Sequence, residues 1–569
     1  MILDQGKFCL EVDMQQATRV GQIPAHDYIA ASRMIAWFAG FKFVMSEQGW
    51  RGSLPLLLAL LLAVALKVSV LLAGTLPFNS DEAIVALMAR HILQGERPLF
   101  FYGQAYMGSL DAWLVAGGFR LVGESVLAVR LVQIVIYALY LCSLWLLARD
   151  LFTDRRVAPL VVALAAVPTV LVTTYTTASL GGYGEALVLG NLMLWLGYRI
   201  AWSDWHRRWL AWVGLGLAAG LAFWTLGLAV VYLVPVACGL ILKWRKGDIW
   251  YSSLALVGFL VGSMPWWAAN LSSGWSALRV LLQSGAGDTT PGEHLIALLL
   301  LGLPVVLGLR FPWQPDFIPL PLLFTSLLFY LSALLYFISA ARKGRLPFSP
   351  GAGVFLGIFG VGFVLIFILT RFGIDASGRY LLPLDFLLLL VSAVFIAAVW
   401  RWRAGMGIGL LALVLALNSV ATWRAAAAPE GITTQFDPQT RFDNSHDQEL
   451  MRFLRQAGET RGYTNYWVSF RLAFLSAEEL IFAARLPYKS DLSYAPSDNR
   501  YPAYSKSVDE SQRVAYITSQ QPIFDAILRQ KLGSLGIDFS EVQIGVYRVF
   551  YDLSQPIRPE QLSLEAGQP

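Results

Sequence analysis

Apolar runs long enough to cross a bilayer recur along most of this chain. A helix spanning a hydrocarbon core needs about 20 mostly apolar residues. The first such run is Leu54–Leu76, interrupted only by Lys67. Others follow at Ser125–Phe152, Val157–Val172, Ala186–Trp202, Trp209–Leu221, Leu226–Leu242, Ile249–Trp267, Leu320–Ile338, Val354–Leu369, Leu381–Val399 and Met406–Val420. That makes eleven, with an ambiguous run at Leu295–Leu309. Of 569 residues 56% are hydrophobic and 14% charged, against about 25% charged in a soluble protein. A soluble multidomain enzyme and a disordered chain are thereby excluded. Cys9, Cys142 and Cys238 give no disulfide framework. The net charge of +5 is too small to indicate nucleic-acid binding. Twenty Trp and 22 Tyr suit two lipid–water interfaces. The expected architecture is an all-α polytopic membrane domain.

Cytoplasmic connectors are enriched in Lys and Arg. Asp154-Arg155-Arg156, His206-Arg207-Arg208, Lys243–Lys246, Arg342–Arg345 and Arg401-Trp402-Arg403 read as inside. Eleven crossings put all of them inside and the C-terminus outside, provided that Leu295–Leu309 is re-entrant or interfacial. Residues 1–50 lack the apolar core and small-residue cleavage site of a signal peptide. They read as an N-terminal cytoplasmic segment, with Ile35–Met45 mildly amphipathic and Met45 an alternative start. The membrane domain is expected over 51–423. Residues 424–569, where hydropathy falls, are expected to form a small extracytoplasmic soluble α/β domain. That tail has helix-like patterns at Gln448–Gln456 and Ile523–Leu532 and a strand-like alternation at Gln543–Tyr551.

The outer loop after the first run carries the most chemistry: Pro77-Phe78-Asn79-Ser80-Asp81-Glu82-Ala83, continuing to Gly108-Ser109-Leu110-Asp111. Acids one residue outside a span are costly near lipid unless they meet water, a cation or a partner. A plainer reading also holds: Asn79 or Ser80 caps a helix whose first turn takes Asp81 and Glu82 to favour its dipole. Gly181-Gly182-Tyr183-Gly184-Glu185 occupies the next outer loop, and Gly378-Arg379-Tyr380-Leu381-Leu382-Pro383 lies near a late span. Glu185 reads equally as a helix-start acid. Arg371 and Arg379 read equally as interfacial anchors that snorkel to headgroups, and Tyr380 as an aromatic-belt residue. Lys67 either pairs with a carboxylate on a neighbouring helix or snorkels.

The order of these features resembles the GT-C superfamily of membrane glycosyltransferases, which includes protein O-mannosyltransferases and lipid A aminoarabinose transferases. The match consists of Asp81-Glu82-Ala83 after the first span, a helix running from Ala89 to Gly95, Asp111-Ala112-Trp113-Leu114, the Glu185 loop and the Arg379 motif. Better-known members often have Asp where this chain has Glu185. The resemblance implies inverting transfer of a sugar from a polyprenyl-phosphate donor to a lipid, glycan or protein acceptor at the outer face of the plasma (inner) membrane. Asp81 is then the expected base, with Glu82 as substitute or positioning group. Arg379, Arg371 and Arg97 are candidates for the donor phosphate, because guanidinium matches phosphate oxygens in a fork. Glu185, Tyr102 and Tyr380 are expected to contact substrate, and the Asp81 loop, the Glu185 loop and Arg379 to line one cavity. The superfamily also admits a divalent metal between Asp81 and Glu185, but two carboxylates are too few to argue one. The rival readings are a lipid or glycan transporter or flippase and a non-catalytic scaffold. No convincing internal repeat of the kind transporters often show is visible.

Overall fold

The structure, a computed structural model, describes residues 47–203, 208–282, 289–370, 375, 377–441 and 443–562. Arg371, Cys9 and the amphipathic Ile35–Met45 stretch lie outside the described residues. The first apolar run forms α1 (Glu47–Leu72), and α2 (Ser80–Leu93) follows it. A hairpin of β1 (Phe100–Phe101) and β2 (Gln104–Gly108) leads into α3 (Leu110–Val122) and the long α4 (Val126–Leu151). Next come α5 (Val157–Ala166), α6 (Val170–Tyr175), α7 (Tyr183–Trp202), α8 (Arg208–Thr225), α9 (Val230–Leu242), α10 (Asp248–Gly262) and α11 (Met264–Ser272). The remaining long apolar helices are α12 (Leu320–Arg342), α13 (Ala352–Leu369), α14 (Leu384–Trp402) and α15 (Ala404–Ala427).

Among the described residues six helices are long and apolar enough to cross a membrane, or seven if the bent pair α10–α11 counts as one span. Other expected spans are interrupted, each for a local reason. The run Val157–Val172 divides into α5 and α6 at Val167–Thr169, where Pro168 has no N–H to continue the ladder. The run Ile249–Trp267 bends by 59° at Ser263, ahead of Pro265. Leu295–Leu309 breaks into a short helix, a π-turn over Leu298–Gly302 and a final turn at Leu303–Val306.

Close helix packing depends on small residues. A Cβ on Gly216 or Gly220 of α8 would fall 2.0 Å or 2.2 Å from the carbonyl oxygens of Ala255 and Phe259 on α10. Gly258 and Gly262 face back at Val213 and Leu217 with the same intimacy. Two small-xxx-small stripes thus bring the backbones together, as membrane helices do in the absence of a hydrophobic drive between them.

Beyond α15 the chain turns α/β: α16 (Asp447–Ala457), β3 (Arg461–Thr464), α17 (Tyr466–Leu475), β4 (Ile481–Ala484), α18 (Pro502–Asp509), β5 (Ala515–Ser519), α19 (Pro522–Ser534), β6 (Ser540–Ile544) and β7 (Tyr547–Tyr551). The sheet order is β4-β3-β5-β7-β6, with β3 parallel to both neighbours and β7 antiparallel to β5 and β6. Leu450, Leu454, Val468, Phe482, Ile517 and Val549 pack one side of it. α17 crosses from β3 to β4 and lies against α2, so the sheet unit is bound to the helix that begins with Ser80 and Asp81.

Candidate active site

The turn Asn79–Glu82 is held at every residue. Asn79 Oδ1 accepts from the Glu82 amide at 3.2 Å, capping α2, and Asn79 Nδ2 donates to Thr434 Oγ1 at 2.8 Å. Ser80 Oγ donates to the carbonyl of Tyr466 at 2.6 Å. The Tyr466 hydroxyl donates to Asp81 Oδ1. Glu82 is 1% exposed and forms a two-pronged ion pair with Arg130 at 3.1 Å and 3.0 Å. Arg130 also donates to the Leu76 carbonyl at 2.9 Å. The adjacent acids therefore differ: Glu82 is locked in a buried pair that ties α2 to α4, while Asp81 is half-buried.

A second acidic pair was only half visible in the sequence. Asp111, at the start of α3, accepts from Gln133 Nε2 (2.8 Å), Ser179 Oγ (2.7 Å) and the Gly181 amide (3.1 Å). Gly181 and Gly182 both adopt positive φ (86° and 109°), which glycine reaches without strain. This turn delivers the Gly181 amide to Asp111 and brings the Glu185 side chain beside the same carboxyl. Neither Glu185 oxygen has a donor among the described contacts. Burial raises the Asp111 carboxyl above its usual range, against the pull of the three donors. Two buried carboxyls side by side cannot both ionise cheaply. Glu185 thus turns towards Asp111, whereas Asp81 is engaged by Tyr466. Among the described residues no three His, Cys, Asp or Glu side chains gather to hold a metal.

Arg379 and Asp81 both influence Tyr175; Arg379 belongs to the Gly378–Pro383 motif. It pairs with Asp375 at 2.8 Å, lies over the Tyr380 ring at 4.9 Å, and its Nε has no acceptor among the described contacts. Tyr183 and Tyr175 share its electrostatic neighbourhood, and their rings meet edge-on at 5.1 Å. Tyr175 also feels the charges of Asp375 and Asp81, which links the Asp81 turn, the loop before Glu185 and the Arg379 motif in one polar region. The C-terminal unit completes the surround with Tyr466, with Arg500 stacked 5.6 Å from the Tyr466 ring, and with Asp498.

Tyr102 and Arg97 lie elsewhere. The Tyr102 hydroxyl donates to Glu96 at 2.7 Å and sits 2.8 Å from His91 Nδ1, and its ring stacks on Tyr501 at 4.6 Å. Arg97 is exposed just beyond α2. These residues border a clamp between α2 and the C-terminal unit. In it Arg90 reaches Glu124, Glu478 (3.3 Å) and the Phe474 carbonyl (2.9 Å), while Glu478 also takes His91 (2.9 Å) and Tyr504 (2.7 Å). Lys67 neither snorkels nor meets a carboxylate among the described contacts. Its ammonium donates to the Thr176 carbonyl and hydroxyl (2.8 Å each) and to Thr177 Oγ1 (2.9 Å), 4.1 Å from the Tyr137 ring. A cavity of about 930 Å³ lies at the opposite end of the bundle, lined by Leu58, Leu62, Leu160, Trp400 and Arg155.

Residues 109–268 match the family described as dolichyl-phosphate-mannose-protein mannosyltransferase. An undecaprenyl phosphate-alpha-4-amino-4-deoxy-L-arabinose arabinosyl transferase of Pseudomonas aeruginosa is 31% identical over 166 residues, 27% of this chain and 28% of that protein. A second such transferase, from Proteus mirabilis, is 27% identical over 284 residues, 45% of this chain and 48% of its own length. The chain thus aligns with less than half the length of these curated relatives. Over 92% of this chain and 100% of the other, the fold is similar to that of ArnT from Cupriavidus metallidurans bound to undecaprenyl phosphate, with a TM-score of 0.59 at 12% identity. The structural likeness shows that this chain shares that fold, while the sequence matches cover only part of it.

Proposed function

We propose that this protein transfers a sugar from a polyprenyl-phosphate carrier to an acceptor at the outer face of the membrane, with inversion. The observation that carries the reading is that Asp81 and Arg379 both act on Tyr175, within one polar region. Asp81 has one oxygen held by Tyr466 and no donor on the other among the described contacts, and Arg379 presents an uncommitted Nε–H. In the proposed step the acceptor hydroxyl oxygen attacks the anomeric carbon as its proton passes to Asp81. The bond from that carbon to the phosphate oxygen breaks. The electron pair leaves with the carrier phosphate, whose charge Arg379 stabilises with Tyr380 alongside. Glu82 acts as a positioning group through Arg130. Glu185 with Asp111 shapes the adjoining loop next to substrate. Arg371 remains a proposed phosphate contact, and Arg97 and Tyr102 remain proposed substrate contacts beside the clamp.

The acceptor is a lipid, a glycan or a protein, and the curated relatives, named for an undecaprenyl-phosphate sugar, favour a polyprenyl donor. Eleven crossings, a membrane domain over 51–423, a soluble α/β domain over 424–569 outside, and residence in the inner membrane belong to the same proposal. They rest on the basic connectors and on the contact of Asp81 with the C-terminal unit. No metal-dependent step is included, since Asp81 and Glu185 turn to different partners. The test is to incubate the purified protein with a panel of polyprenyl-phosphate sugars, each together with lipid, glycan and protein acceptors bearing free hydroxyls. Release of carrier phosphate from one of them is expected; no release from any would overturn the reading.

A further inference from the structure

We infer that the C-terminal α/β unit is a working part of the active site, with Tyr466 the positioning residue that aims Asp81. The inference rests on the transferase reading above. Of the four consecutive residues Asn79, Ser80, Asp81 and Glu82, the first three are bound by the chain beyond α15: Asn79 by Thr434, Ser80 by the Tyr466 carbonyl and Asp81 by the Tyr466 hydroxyl. Tyr466 thus grips the turn twice, once through its backbone and once through its side chain. Its own place is fixed. It opens α17, capped by Asn465, which accepts from the Trp467 amide at 3.0 Å. Its ring packs on Phe470 at 5.6 Å and lies beneath the Arg500 guanidinium. Arg500 in turn donates to the Gly103 carbonyl at the tip of the β1–β2 hairpin.

A carboxylate on a short side chain pivots about one bond, and a base must meet its proton within about 2.6–3.2 Å. Holding Oδ1 by a tyrosine hydroxyl leaves Oδ2 as the oxygen that receives the acceptor proton and sets its direction. A hydroxyl aimed at an ionised acid makes a charge-assisted bond, roughly twice as strong as a neutral one. The unit that bears Tyr466 is therefore more than a cover over the membrane helices. It supplies the alignment of the reacting oxygen.

Tyr466→Phe removes only the hydroxyl and keeps the ring under Arg500. The expected result is a fall in kcat of about 10-fold or more, with donor affinity and thermal midpoint within two-fold and two degrees, roughly, of wild type. Repeated on an Asp81→Glu background, where the carboxylate is already displaced, the same change should cost less than about two-fold, because effects acting through one group do not add. Arg500→Lys should retain more activity than Arg500→Ala. Unchanged kcat in Tyr466→Phe, or an equal penalty on both backgrounds, overturns the role of Tyr466 while leaving the transferase reading in place. A wild-type protein inactive towards the whole donor panel overturns that reading, and this inference with it.

Discussion

Asp81 and Glu82 are chemically near-identical neighbours, yet one helical step turns their side chains about 100° apart. Glu82 points into the bundle and meets Arg130, while Asp81 stays half-exposed beneath Tyr466. A buried pair of this kind is more expensive to break than to do without, because removing one partner strands the other charge. Glu82→Ala is therefore expected to destabilise the protein by about 3–5 kcal/mol, read as a lower unfolding midpoint in detergent. Glu82→Ala together with Arg130→Met should recover part of the loss. Asp81 and Arg379 were legible in the sequence because each sits in a short polar motif beside an apolar run. The Arg130 partner was not, since it lies 48 residues away inside a mostly apolar helix.

At the scale of elements, two devices hold the site together. The first is the glycine contact between α8 and α10. Gly220→Val would drive a side chain into the Phe259 carbonyl 2.2 Å from its Cβ, so the helices must part and the unfolding midpoint should fall. A polar surface substitution such as Arg452→Gln serves as the unaffected control. The second is the clamp of Arg90, His91 and Tyr504 on Glu478. Burial alone would raise the Glu478 carboxyl, but the bonds from His91 and Tyr504 and the charges of His91 and Arg90 outweigh it and lower it from 4.5 to about 2. A carboxyl depressed on folding adds stability above its unfolded value and loses it as pH falls through the folded one. The clamp should therefore be complete above pH about 4.5 and weaken from there towards pH 2, and protease cleavage of the C-terminal unit should rise over that window. Glu478→Gln should flatten this dependence. Hydropathy disclosed the long helices, and turn residues such as Pro168 explain the divisions it missed. No periodicity could disclose the clamp, whose partners Arg90 and Glu478 are 388 residues apart.

Across the whole molecule, the helical part and the sheet part meet where the polar residues of both converge. Asp81 enters from α2, Tyr175 from the end of α6 and Tyr183 from the start of α7, Arg379 from the turn before α14, and Tyr466 and Arg500 from the C-terminal unit. Glu185 lies beside Asp111, whose carboxylate takes the Gly181 amide of the glycine turn. That pairing depends on three-dimensional proximity between α3 and α7, which neither composition nor spacing reveals. The central claim is that a single outer-face carboxylate, Asp81, takes the acceptor proton. It is tested most directly by comparing wild type with Asp81→Asn on the active polyprenyl-phosphate sugar. Donor binding should be kept while carrier release falls by about 10²-fold or more; turnover by Asp81→Asn at the wild-type rate would contradict the account.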